Sequence, residues 1–159
     1  MRGANLDNHK VIGSIAGFST LAQGREKLIQ RMAHKDTKIL SMTITEGGYN
    51  IDDASGEFKL NDPEIEKELQ NYKEGESVFA IFANMVRERK AAGGGPFTVM
   101  SCDNVQENGH VAKRAFLTYL EQCDKELLAW AKDNIVFVNS MVDRITPVPN
   151  LALLQPEIA

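Results

Sequence analysis

Glu46, Asn104 and Asp143 are the residues of this chain best placed to act on a ligand, because each follows a short apolar run that ends abruptly in polar groups. Phe97-Thr98-Val99-Met100-Ser101 runs into Cys102-Asp103-Asn104, and Lys38-Ile39-Leu40-Ser41-Met42-Thr43-Ile44 runs into Thr45-Glu46-Gly47-Gly48-Tyr49. The third run, Ile135-Val136-Phe137-Val138, leads into Asn139-Ser140-Met141-Val142-Asp143-Arg144. In an alternating α/β protein, ligands bind just beyond the carboxyl ends of parallel strands. Two carboxylates and one amide at three such ends offer acceptors and a donor to a single crevice. The same residue types also cap helices and close turns, so the pattern alone leaves both readings open.

The elements that must position these groups read as strands alternating with helices. Val11-Ile12-Gly13-Ser14-Ile15 has the β-branched content of a first strand, and a helix over Gly24 to Ala33 places Leu28, Ile29 and Met32 on one face. Tyr49-Asn50-Ile51 and Glu57-Phe58-Lys59-Leu60 flank a turn-forming stretch, a hairpin pattern. Asp62-Pro63-Glu64 and Ser77 are helix starts, the second leading a stripe of Val78, Phe82, Met85 and Val86. Asn108-Gly109 opens a helix with Ala112, Phe116, Tyr119 and Leu120 inward and Lys113 and Arg114 outward, and Asp124 caps its continuation through Leu127, Leu128 and Trp130. Crossover connections of this kind predict a parallel sheet with strands near Val11–Ile15, Lys38–Ile44, Phe97–Ser101 and Ile135–Val138.

At 159 residues the chain has the length of one domain with a real core. A formal net charge of -4 argues against a dedicated nucleic-acid surface, which needs a basic field. No apolar stretch approaches the roughly 20 residues of a membrane helix. Cys102 and Cys123 form no CxxC pair, and a reduced, cytoplasmic setting is expected. None of His9, His34 and His110 has a second ligand at metal-binding spacing, so no metal site is expected. Gly93-Gly94-Gly95 resembles a phosphate loop only in composition. A dinucleotide loop follows a strand and opens a helix, whereas these glycines end a helix and precede a strand. Cys102 lacks the elbow of a nucleophile and reads as a small buried thiol.

Thr43 through Tyr49, Phe97 through Asn104 with Asn108-Gly109 after it, and Asn139 through Pro147 resemble three signature blocks of the mannitol 2-dehydrogenases. These are polyol-specific long-chain dehydrogenases, a group that includes fructuronate and tagaturonate reductases. The similarity runs from about Val11 to Pro147, and Glu46-Gly47-Gly48 is more like the mannitol branch. The resemblance implies an α/β fold: an incomplete Rossmann-type nucleotide-binding domain with a mainly parallel sheet. That domain would cover residues 1–147 without its first βα unit, with an irregular tail over 148–159. NAD is the implied cofactor, NADP remaining open, and the implied reaction is zinc-independent interconversion of a sugar alcohol and a ketose. In the family a lysine is the general base and two asparagines stabilise the developing alkoxide. By resemblance Asn104 is one of that pair, Glu46 a carboxylate near the nicotinamide, and Asp143 an aspartate of the same surroundings. Thr45, Glu46, Gly47 and Asn104 would line the cofactor.

The family's glycine-rich loop and its lysine find no match here, and Val138 stands where a proline is expected before Asn139-Ser140-Met141. The expectation is therefore a fragment that binds dinucleotide weakly and turns over no polyol alone. The alternative is a non-catalytic remnant or interaction module with weak nucleotide binding. An unrelated Rossmann-like enzyme, such as a methyltransferase, would need the three blocks by coincidence. The expected partner is a small-molecule polyol or ketose, with neither nucleic acid nor membrane, and the oligomeric state stays open.

Overall fold

The computed structural model describes residues 13–142, apart from residue 53. Three parallel strands, β1 (Ile39–Met42), β2 (Phe97–Ser101) and β3 (Ile135–Val138), lie in that order, with Leu40 opposite Val99 and Val99 opposite Phe137. Helices α1 (Arg25–Ala33), α2 (Pro63–Leu69), α3 (Val78–Ala91), α4 (Asn108–Cys123) and α5 (Lys125–Asn134) alternate with them, so the α/β expectation and the parallel sheet hold. The expected first strand does not. Val11 and Ile12 lie outside the described residues, Gly13 and Ser14 form a turn, and Ile15 is exposed and unpaired with any described strand. β-branched content favours a strand only where a neighbour completes the ladder. The expected tail over 148–159 also lies outside the described residues.

Local chemistry sets the helix starts. Asp62 accepts from the N–H groups of Glu64 and Ile65, with Pro63 at the first helical position, and Asp124 accepts from those of Glu126 and Leu127. The Ser77 hydroxyl accepts from the N–H of Ala80 and opens α3. That helix departs from the expected single stripe: Phe79 through Val86 are all buried, because α3 packs among α1, α4 and α5. The hairpin reduces to one antiparallel bridge, Ile51 to Phe58, closed by the Asp52 N–H donating to the Glu57 carbonyl at 2.8 Å.

Arg89, fully buried near the end of α3, explains the glycine run. Its guanidinium donates to the carbonyls of His34 (2.6 Å) and Gly95 (2.8 Å) and lies over the Phe97 ring at 4.9 Å. Gly93, at φ 67°, supplies the left-handed turn that brings the following carbonyls back to Arg89. The run is thus a helix stop, as its sequence context indicates.

α4 lies against β2 and β3, where Phe97, Val99 and Ser101 point into the core. On the opposite face Ile39, Thr98 and Val136 form one row, and Ile39 and Val136 are 60% and 57% exposed. Parallel sheets are ordinarily covered on both sides. Among the described residues this face is open. None of the described helices is long and apolar enough to cross a membrane.

Candidate active site

β2 ends at Ser101, and the alternation of its side chains continues past the strand. Phe97, Val99 and Ser101 are buried, and so is Asp103, whereas Asn104 is exposed. A period of two therefore sends Asp103 inward and Asn104 outward.

Asp103, 4% exposed, gathers the end of β1. Its carboxylate accepts from the N–H of Thr45 at 2.8 Å, the N–H of Ile44 at 3.1 Å and the Tyr49 hydroxyl at 2.6 Å. Burial pushes its pKa up. The bonds from Tyr49 and from the Ile44 and Thr45 N–H groups outweigh that and hold the carboxyl below the usual carboxylate range. Burial, then the bond to Asp103, raises the phenol of the fully buried Tyr49 well above its ordinary value, so it remains a donor. With its proton committed to Asp103, the Tyr49 oxygen takes the Ser101 hydroxyl at 2.6 Å as its donor.

Asn108 gathers the end of β3. Its amide N–H donates to the Asp103 carbonyl at 3.0 Å and the Ser140 carbonyl at 2.8 Å, and its Oδ1 accepts from the Ser140 N–H at 2.9 Å. The Ser140 hydroxyl donates to the Ser101 carbonyl. Asn139 Oδ1 accepts from the N–H groups of Gly109 (2.9 Å) and His110 (3.3 Å), doing for α4 what Glu107, without a side-chain cap, does not. A Cβ on Gly109 would stand 2.3 Å from the Val138 carbonyl oxygen, so the helix start abuts the strand end. Three strand ends are thus tied together through the β2–α4 connection.

The space these ties hold open is a cleft of about 410 Å³ lined by Thr45, Glu46, Gly47, Asp103 and Asn104. Of the residues singled out by sequence, Thr45, Glu46, Gly47 and Asn104 meet here, with Glu46 and Asn104 both exposed to the opening. Asp143 lies outside the described residues. Glu46 opens a 3-10 turn over Glu46–Tyr49 in place of the expected entry into a hairpin. Cys102 is half-buried and free, and no group of three or more described His, Cys, Asp or Glu residues is arranged to hold a metal. A larger hollow, about 580 Å³, lies at the opposite end of β1 among Ser19, Lys27, Arg31 and His34. It is bounded by one helix and the chain beside it, away from the strand ends, so the smaller cleft is the better site.

The Asp103 contacts carry a pH signature. A carboxylate whose folded pKa is depressed contributes stability that is present above its unfolded value, about 3.9, and is lost as pH falls through the folded value. The wild-type unfolding midpoint therefore declines as pH drops below about 4, and Asp103→Asn, less stable at pH 7, shows a shallower decline in parallel denaturation series.

The family model described as the mannitol dehydrogenase Rossmann domain matches residues 2–156. A polyol:NADP oxidoreductase of Gluconobacter oxydans is 42% identical over 87% of this chain and 28% of that protein. A D-mannonate oxidoreductase of Escherichia coli is 42% identical over 99% of this chain and 32% of that protein. Among solved structures, the Pseudomonas fluorescens mannitol 2-dehydrogenase ternary complex with NAD and D-mannitol superposes with a TM-score of 0.78 at 40% identity, over 92% of this chain and 30% of that one. The chain spans less than a third of the length of each of these relatives.

Proposed function

This chain belongs to the mannitol dehydrogenase family, and we propose that it supplies the cleft in which an NAD-dependent enzyme interconverts a sugar alcohol and a ketose. The observation that carries the reading is the convergence of Glu46 and Asn104 on one cleft at the carboxyl ends of parallel strands. Thr45, Glu46 and Gly47 fit the nicotinamide end of a dinucleotide. A Cβ on Gly47 would meet nothing within 4 Å, so that side of the cleft has room for a flat ring close to backbone. The bound cofactor supplies a hydride acceptor for the carbinol carbon.

The residues of this chain handle the oxygen. As its proton passes to a lysine general base of the kind the family uses, which the described residues do not supply, and negative charge grows, the Asn104 amide N–H donates to it. Asp103 is already committed to three donors and stays out of the proton transfer, while Glu46, the solvent-open carboxylate, orients the reacting groups. The free thiols of Cys102 and Cys123 suit a reducing cytoplasm. Relatives at the same 42% identity carry different named activities, so substrate choice among polyols and sugar acids rests on side chains that identity does not single out.

The test is a chimera in which residues 13–142 replace the matching segment of the Pseudomonas fluorescens mannitol 2-dehydrogenase. The expected result is NAD reduction with mannitol or another polyol of a panel, and the reverse reaction with a ketose. A folded chimera that binds NAD and turns over no member of the panel in either direction would favour a non-catalytic binding module instead.

A further inference from the structure

Thr45 has φ 65° and ψ 165°, a backbone region that is essentially reserved for glycine and is worst for a β-branched side chain. Such a conformation persists only where its surroundings over-determine it. Here the surroundings are Asp103, whose two carboxylate oxygens take the successive N–H groups of Ile44 and Thr45. The Thr45 carbonyl then accepts from the Gly48 N–H at 3.1 Å, which closes the 3-10 turn carrying Glu46 into the cleft. Asp103 is itself immobilised, by Tyr49 at its carboxylate and by Asn108 at its carbonyl. That carbonyl belongs to the peptide leading to Asn104. One buried side chain is thus fixed to both walls of the cleft.

We infer that Asp103 is a positioning residue that holds Thr45 in its strained conformation, so that Glu46 and Asn104 stand across the cleft from one another. Without the carboxylate, Thr45 relaxes to an ordinary extended conformation and the turn bearing Glu46 swings away. The catalytic consequence rests on the dehydrogenase reading; the mechanical coupling of residues 103 and 45 does not.

Two measurements separate them. On the full chain, thermal unfolding of the four combinations of Asp or Asn at 103 with Thr or Gly at 45 reads the strain. Thr45→Gly raises the midpoint by about 2–4 °C when residue 103 is Asp, because glycine adopts the same backbone freely. It brings no rise when residue 103 is Asn, because the strain has already been released. An equal rise in both backgrounds means that Asp103 is not what holds Thr45, and overturns the inference. In the chimera, Asp103→Asn lowers kcat of the folded enzyme by about 10–10²-fold, the scale of a misplaced group, and raises the cofactor KM, because the displaced turn also lines the nicotinamide. Unchanged kcat in Asp103→Asn overturns the positioning role even if the midpoint falls. An inactive chimera with coupled midpoints overturns the dehydrogenase reading and leaves the clamp in place.

Discussion

Asn104→Ala in the chimeric enzyme lowers kcat about 10²–10³-fold, the usual cost of deleting one donor to a developing oxyanion. The lost bond strengthens only as charge grows, so NAD affinity and polyol KM change little. Asn104→Asp is at least as damaging, because it sets a negative charge against the alkoxide. The structure sharpens the comparison with a purely structural role for this residue. Asn104 is exposed, while the turn after β2 is held by its buried neighbours Asp103 and Asn108. Alanine at 104 therefore leaves the thermal midpoint within about a degree or two, as surface substitutions usually do. Steady-state kinetics and melting on one preparation decide the matter: intact kcat with a lowered midpoint takes Asn104 off the catalytic list.

Phe116→Ala costs about 3–5 kcal/mol of folding stability, the range for deleting a buried aromatic ring. Phe116 is 1% exposed and lies 4.5 Å from the Phe82 ring and 5.3 Å from the Phe79 ring, centroid to centroid. Phe79 in turn meets Phe58 at 5.0 Å and Tyr119 at 5.6 Å, so the cluster spans α3, α4 and the segment before α2. Neighbours drawn from three places in the chain cannot all close on the void. The midpoint falls by about 10 °C or more for a chain of this size. Phe116→Leu, which keeps most of the volume, loses less than half as much. Urea titration with an unchanged slope checks that the native state has lost stability and not compactness. α4 carries Asn108 two turns before Phe116, so the same substitution also loosens the tie to the end of β3.

What could be read from sequence was what neighbours along the chain decide. Asp62, Ser77 and Asp124 cap helices through bonds two or three residues away, and each was legible as a cap. The three apolar runs that became β1, β2 and β3 were legible because their alternation and punctuation are local. Asn84 and Arg89 obscured α3. Polar residues suggest a solvated side, yet both are buried and bonded to distant carbonyls, Asn84 to Tyr72 and Arg89 to His34 and Gly95. In the site, sequence singled out the exposed member of Asp103-Asn104 and passed over the buried one. The parity of Phe97, Val99 and Ser101, carried two residues on, is the signal that finds Asp103. Asn139 and Ser140 carry no such mark, since their partners on α4 lie 29 to 32 residues earlier.

The abutment of α4 on β3 has a consequence for what variation this chain tolerates. At Gly109 the nearest atoms to an added Cβ are all main chain, at 2.3, 2.4 and 2.7 Å, and a strand end and a helix start cannot step aside as a side chain can. Every missense change of that codon therefore presents the same obstruction, from alanine upward. Gly95 has nothing within 4 Å of its added Cβ and faces no such obstruction. A saturation library selected for folding accordingly returns a single amino acid at 109 and a broad set at 95, so that two glycines indistinguishable by composition carry opposite information about the fold.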